Sequence, residues 1–311
     1  MLTEKDKLFH EPDPSIYYWA ETNWFAFMIP DENITGEIYA WFRPNLRVAS
    51  SGLFVWKGFN RHMSDGYYVD YMEHLPYPET NLDNYSLANG ISVKILEPMK
   101  RYKVDYNDGL GSELHAEFQA ICPPFDYAEA AAVKEYYGGG HIEQPGFIRG
   151  ELIVRGKKYA IDCIHWRDHS WGPRPERGMG NVDWAVGDVG QDFQFNLMSW
   201  HDREAENLKN GYIIERGRHT QLAKASRSTI RDDDGLEARQ INLELVDKEG
   251  REYSIKGEVT NMFPWSLWMN VVDYAGTVRW EVKGRGRGWG EVQDVRTLEY
   301  IIAKKERSTK G

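Results

Sequence analysis

Apolar and polar residues alternate with a period of two along most of the chain, and this pattern restricts the fold more than any other feature. In Glu113–Ala120, Leu114, Ala116, Phe118 and Ala120 fall on one side, and Glu113, His115, Glu117 and Gln119 on the other. Only an extended strand has that period. Ile91–Leu96 repeats it with Ile91, Val93 and Ile95. Gly36–Phe42, Gly52–Lys57, Phe193–Trp200, Thr277–Lys283 and Val295–Ala303 also read as strands. Glu151–Arg155 and Tyr159–Trp166 flank Gly156-Lys157-Lys158, and Gln240–Val246 and Glu252–Val259 flank Asp247-Lys248-Glu249-Gly250; both are hairpin signals. The one strong helical signal is the Ala-rich Asp126–Tyr137, stopped by Gly138-Gly139-Gly140. The expected class is all-β, with antiparallel barrels or sandwiches and few short helices.

At 311 residues the chain is long enough for two domains of roughly 100–200 residues each. Hairpins recur on both sides of Asp188-Val189-Gly190, so the expected domains are 1–190 and 191–311. No low-complexity linker separates them, so they should pack together. The net charge of -10 repels a phosphate backbone, and no nucleic-acid partner is expected. The charged start Met1-Leu2-Thr3-Glu4-Lys5-Asp6-Lys7 has no apolar signal region, and no run of about 18 apolar residues could span a membrane. A cytoplasmic protein without stable membrane insertion is expected, with Cys122 and Cys163 as reduced thiols. The sequence leaves the oligomeric state open. The 12 Trp, 18 Tyr and 12 Phe suit a β core, and they equally suit the walls of a pocket for a large apolar ligand.

Phosphate-loop, zinc-protease, nucleophile-elbow and dinucleotide motifs are absent. The basic Gly284–Gly290 run fits no phosphate loop and reads as a bent barrel strand. His165-Trp166-Arg167-Asp168-His169-Ser170-Trp171-Gly172-Pro173-Arg174 is different, because it gathers proton donors, acceptors and aromatic rings at a strand end. It is either a reaction centre or a structural corner in which Asp168 pairs with Arg167 or Arg174. His141-Ile142-Glu143-Gln144 is a second polar cluster, able to cap a helix or face a pocket. The Glu113, His115, Glu117 side reads as a solvated face. His141, His165, Asp168 and His169 could ligate a metal, but no two-His spacing supports it, and no metal is expected.

Asp168-His169-Ser170-Trp171-Gly172-Pro173-Arg174, with His141-Ile142-Glu143-Gln144-Pro145-Gly146 and the opening Glu21-Thr22-Asn23-Trp24-Phe25, resembles the carotenoid 1,2-hydratase (hydroxyneurosporene synthase) superfamily. That group includes AttH-type proteins and decalin-forming Diels–Alderases. The resemblance runs from about Glu21 to Tyr300. It implies two packed lipocalin-like β units, a hydrophobic small-molecule substrate such as a terpenoid or polyene, and no organic cofactor.

Such chemistry starts with protonation of an alkene, which needs a carboxylic acid kept neutral by burial. Asp168 is the expected acid, oriented or reprotonated by His169 or His165. Trp166, Trp171, Trp24, Arg174, His141 and Glu143 are the expected substrate-binding residues. Hydration, isomerisation and cyclisation all remain open. The other reading is a lipocalin-like carrier that binds a hydrophobic ligand without changing it.

Overall fold

The computed structural model describes residues 8–127, 139–175, 180–202, 205–268 and 270–308. Its described residues form strands β1 to β20 and one α-helix, α1 (Leu298–Ser308), so the all-β expectation holds. Two compact units emerge. One takes in residues 8–55, 67–127 and 139–175, and the other residues 56–66, 180–202, 205–268 and 270–308.

The first unit is an eleven-stranded antiparallel sheet that curls into a half-barrel. In chain order its strands are β1 (Trp19–Ile29), β2 (Ile34–Arg43), β3 (Val48–Lys57), β4 (Tyr68–Pro76), β5 (Asn84–Ser86), β6 (Ile91–Glu97), β7 (Arg101–Asn107), β8 (Glu113–Ala120), β9 (Phe125–Asp126), β10 (Gly140–Val154) and β11 (Lys157–Pro173). The spatial order is β4-β3-β2-β1-β11-β10-β8-β7-β6-β5, with β9 on β10. The longest strands, β10 and β11, therefore lie beside β1 in the middle of the sheet. Phe25, Phe27, Ile38, Tyr106, Phe118 and Ile148 fill the curl. A crevice of only about 10 Å³ is left among them.

The second unit is a closed eight-stranded barrel. Its strands are β12 (Asn181–Asp188), β13 (Phe193–Asp202), β14 (Ala205–Glu215), β15 (Arg218–Arg231), β16 (Ala238–Asp247), β17 (Glu252–Val259), β19 (Val271–Val282) and β20 (Gly286–Thr297). β18 (Phe263–Trp268) lies outside the ring, on β19. Pairing of β20 with β12 and of β17 with β19 closes the ring, so it keeps no free edge. Among the apolar residues of its core is a buried ion cluster, in which Arg227 and Arg296 face Asp183 and Asp294. Residues 56–66 are stitched to this unit. Trp56 Nε1 donates to Asn261 (3.0 Å), its ring stacks on Phe263, and the Asn60 amide donates to the Met262 carbonyl (2.8 Å).

Two sequence expectations change, and a third falls mostly outside the described residues. The strand expected over Val295–Ala303 ends at Thr297, whose hydroxyl accepts the Tyr300 amide and so caps α1. The β10–β11 turn is Arg155-Gly156, both with positive φ, which leaves Lys157 and Lys158 inside β11. Of the helix expected over Asp126–Tyr137, Asp126 belongs to β9, and positions 128–137 lie outside the described residues.

Candidate functional site

In a strand, neighbouring side chains leave on opposite sides, and directly paired residues of adjacent strands share a side. The β1–β11 register pairs Asn23 with His169 and Trp24 with Asp168; the β10–β11 register pairs Ile142 with His169 and Glu143 with Asp168. Phe25 belongs to the core of the curl, so Glu21, Asn23, Gln144, Arg167, His169 and Trp171 share that inner side. Thr22, Trp24, His141, Glu143, Trp166, Asp168 and Ser170 lie on the other side. Most of both groups is buried, although charged residues are seldom fully buried.

The expected pairing of Asp168 with His169 therefore does not form. Their adjacency in sequence is what separates them. His165 is buried; its Nδ1 accepts the Trp166 amide (2.8 Å), and its ring meets Trp24 edge-on. Burial pushes the His165 pKa down to about 3, so it is neutral.

Asp168 is half-buried, and its Oδ1 is inaccessible and bonded to no described residue. Neither Arg167 nor Arg174 forms an ion pair with it. Arg167 donates through Nε to Gln144 (2.9 Å) and lies over the Tyr102 ring, and Arg174 donates to Ser170 Oγ (3.0 Å) and the Pro173 carbonyl. Burial pushes the Asp168 carboxyl up to about 6; nearby Glu143 adds to the rise, while His141, Arg167 and Arg174 oppose it. On the same side, His141 Nε2 is 2.9 Å from Glu143 Oε1, and Tyr127 donates to Glu143 Oε2 (3.4 Å). Ser170 Oγ also lies 2.7 Å from Thr22 Oγ1. This side thus brings together a carboxyl with an unbonded oxygen, a His–Glu pair and two Trp rings.

On the inner side, His169 Nε2 is 2.7 Å from Glu21 Oε1, and His10 Nδ1 is 2.9 Å from the same oxygen. The His10 amide donates to Glu21 Oε2 (3.0 Å). Burial alone would favour neutral Glu21, but hydrogen bonds from His10 and His169 outweigh it and hold the carboxyl below its usual range. His169 is lowered, chiefly by burial. The His10 ring stacks on Trp171 at 3.7 Å. Gly140 makes room for that indole, since a Cβ there would lie 2.2 Å from Trp171 Cζ2.

The structure therefore divides the expected residues. Asp168, Trp24, Trp166, His141 and Glu143 share one side, and Arg174 reaches it through Ser170. His169 and Trp171 join a different cluster, with His10 and Glu21, which were not expected to act. The available signal was Glu21-Thr22-Asn23, three polar residues in a row within an otherwise apolar stretch. The Glu113, His115, Glu117 face is partly solvated, with His115 bonded to Asp105 (2.8 Å). Cys122 is buried and Cys163 half-buried, and the two form no disulfide with each other.

A curled half-barrel and a closed barrel on one chain, with buried polar groups on both sides of the central strands, define a tandem lipocalin-like β protein. The chain belongs to the DUF7064 family, a domain of unknown function whose profile matches residues 3–296. No curated protein matches it. Among solved structures it is similar to an AttH candidate from Nitrosomonas europaea, at TM-score 0.64 and 11% identity over 89% of this chain and 91% of that one. It is also similar to kievitone hydratase from Nectria haematococca (TM-score 0.58, 12% identity, 96% of this chain and 93% of that one). CghA with Sch210972 is similar too (TM-score 0.57, 12% identity, 90% and 89%). At these identities the likeness shows a shared fold. Among the described residues no helix is long and apolar enough to cross a membrane.

Proposed function

We propose that the chain is a cofactor-independent enzyme that transfers a proton to or from a C=C bond of a hydrophobic small molecule, with Asp168 as the proton-transfer group. The observation that carries this reading is the buried, unbonded Oδ1 of Asp168 on the side that also holds Trp24 and Trp166. A carboxyl clamped by a guanidinium would be a poor acid; this one is not clamped. When Asp168 gives its proton to an alkene carbon, the carbocation left behind can rest on indole faces, each contributing roughly 0.5–2 kcal/mol. The His141–Glu143 pair, on the same side, is placed to activate water or return the proton. The Arg174–Ser170–Thr22 chain stiffens the floor. The likeness to a protein named as a hydratase supports this class of reaction.

The test is incubation with terpenoid, polyene and steroid-like alkenes in ¹⁸O-labelled water and in heavy water, read by mass spectrometry. Product carrying ¹⁸O marks hydration, and deuterium without ¹⁸O marks isomerisation or cyclisation. Asp168→Asn, with its fold checked by circular dichroism, is expected to lose about 10²–10⁴-fold in turnover. Undiminished turnover would remove Asp168 from the role, and binding of alkenes without product would leave the carrier reading.

A further inference from the structure

Three donor atoms converge inside the first unit from three separate stretches of chain: the segment before β1, β1 itself, and β11. His10, Glu21 and His169 each offer one ligand atom, all within 4.8 Å of one another, and His10 Nδ1 and His169 Nε2 both reach Glu21 Oε1. We propose that these residues form a divalent-metal site that takes Zn²⁺ or another first-row ion of similar preference. Two imidazoles and one carboxylate are a donor set that suits such ions, and three protein ligands leave at least one position open for water or another small ligand.

The spacing fits with little movement. Ions of this class sit about 2.0–2.1 Å from nitrogen and oxygen, so tetrahedral ligand atoms lie about 3.3 Å apart. The imidazole nitrogens are now 2.9 and 2.7 Å from Glu21 Oε1. A metal replaces the two N–H protons and pushes each nitrogen outward by about half an ångström. His10 precedes the first strand, so its ring can move without breaking a ladder. His169 and Glu21 are held by the central strands and supply the rigid half of the site.

The surroundings suit a built site. Trp171 stacks on His10 and sets its ring plane, and the His10 amide holds the second oxygen of Glu21. Such outer contacts orient metal ligands. His10 is partly exposed while Glu21 and His169 are buried, which gives an ion an entry path and a dry seat. Metal binding takes both imidazoles as neutral ligands and the carboxylate as an anion, a set with one negative charge that a divalent ion more than neutralises. The site lies across the sheet from Asp168, so its occupancy can be read apart from any alkene chemistry.

The experiment uses the full chain stripped with a chelator, then titrated with Co²⁺ and Zn²⁺. Binding is followed by Co²⁺ d–d absorption and calorimetry. We expect one saturable site per chain, weakened at least tenfold by His10→Gln and abolished by Glu21→Gln. No saturable uptake by the wild type, or unchanged uptake by folded His10→Gln, overturns the proposal. Should the variants fail to fold, X-ray absorption of the zinc-loaded wild type decides. Scattering from two imidazoles supports the site, and a shell without imidazole overturns it.

Discussion

Asp168 and His169 are adjacent in sequence and serve different environments. The period of two predicts that separation, yet a dense polar motif is easily read as one site. The motif was noticeable because its residues are contiguous; that Glu143 stands opposite Asp168 comes from the β10–β11 register, which joins two clusters the sequence offers separately. The cluster on the inner side was not legible, because Glu21 and His10 lie far from His169 along the chain and no spacing rule joins them. Buried acids also leave a signature in stability. Burial pushes Asp188 up to about 7 from an ordinary 3.8, against a hydrogen bond from the Gly190 amide. A raised acid pKa means the folded state holds the proton more tightly. The associated stability is complete below pH 3.8 and is lost as pH rises through 7. Asp188→Asn is therefore expected to be near neutral at pH 4 and to stabilise the chain by about 2–4 kcal/mol at pH 8. Urea midpoints of both proteins at the two pH values check this, and parallel curves would contradict it.

Strand periodicity placed most elements but not their ends, because ends depend on caps and turn dihedrals. Thr297 shows this by ending β20 and starting α1 with one hydroxyl. Of the run read as a bent barrel strand, Gly286–Gly290 opens β20 while Gly284 and Arg285 lie in the turn before it, and the packing of the strand part explains the residue choice. A Cβ on Gly288 would sit 1.8 Å from the Asp188 carbonyl oxygen, and one on Gly290 2.0 Å from that of Val186. Backbone cannot yield as a flexible side chain does. Gly290→Ala should cost more than 3 kcal/mol or prevent folding. Alanine at Lys283, in the exposed loop just before the run, should change stability by less than about 0.5 kcal/mol. Thermal melts of the two variants compare them directly.

The arrangement into two compact units puts Trp56, one of the largest fully buried side chains, in the second unit although it lies early in the sequence. Trp56→Ala is expected to cost about 3–5 kcal/mol in the full chain, measured by denaturant unfolding; a loss under 1 kcal/mol would show that the 56–66 segment is dispensable. Alternation cannot reveal such a segment, since it reports which side a residue faces and not which sheet it joins. The segment also has a consequence in time. A ribosome working at 5–20 residues per second needs about 6–23 s to travel from residue 66 to residue 180. Throughout that interval the Trp56 indole waits in the nascent polypeptide for Asn261 and Phe263, partners not yet made.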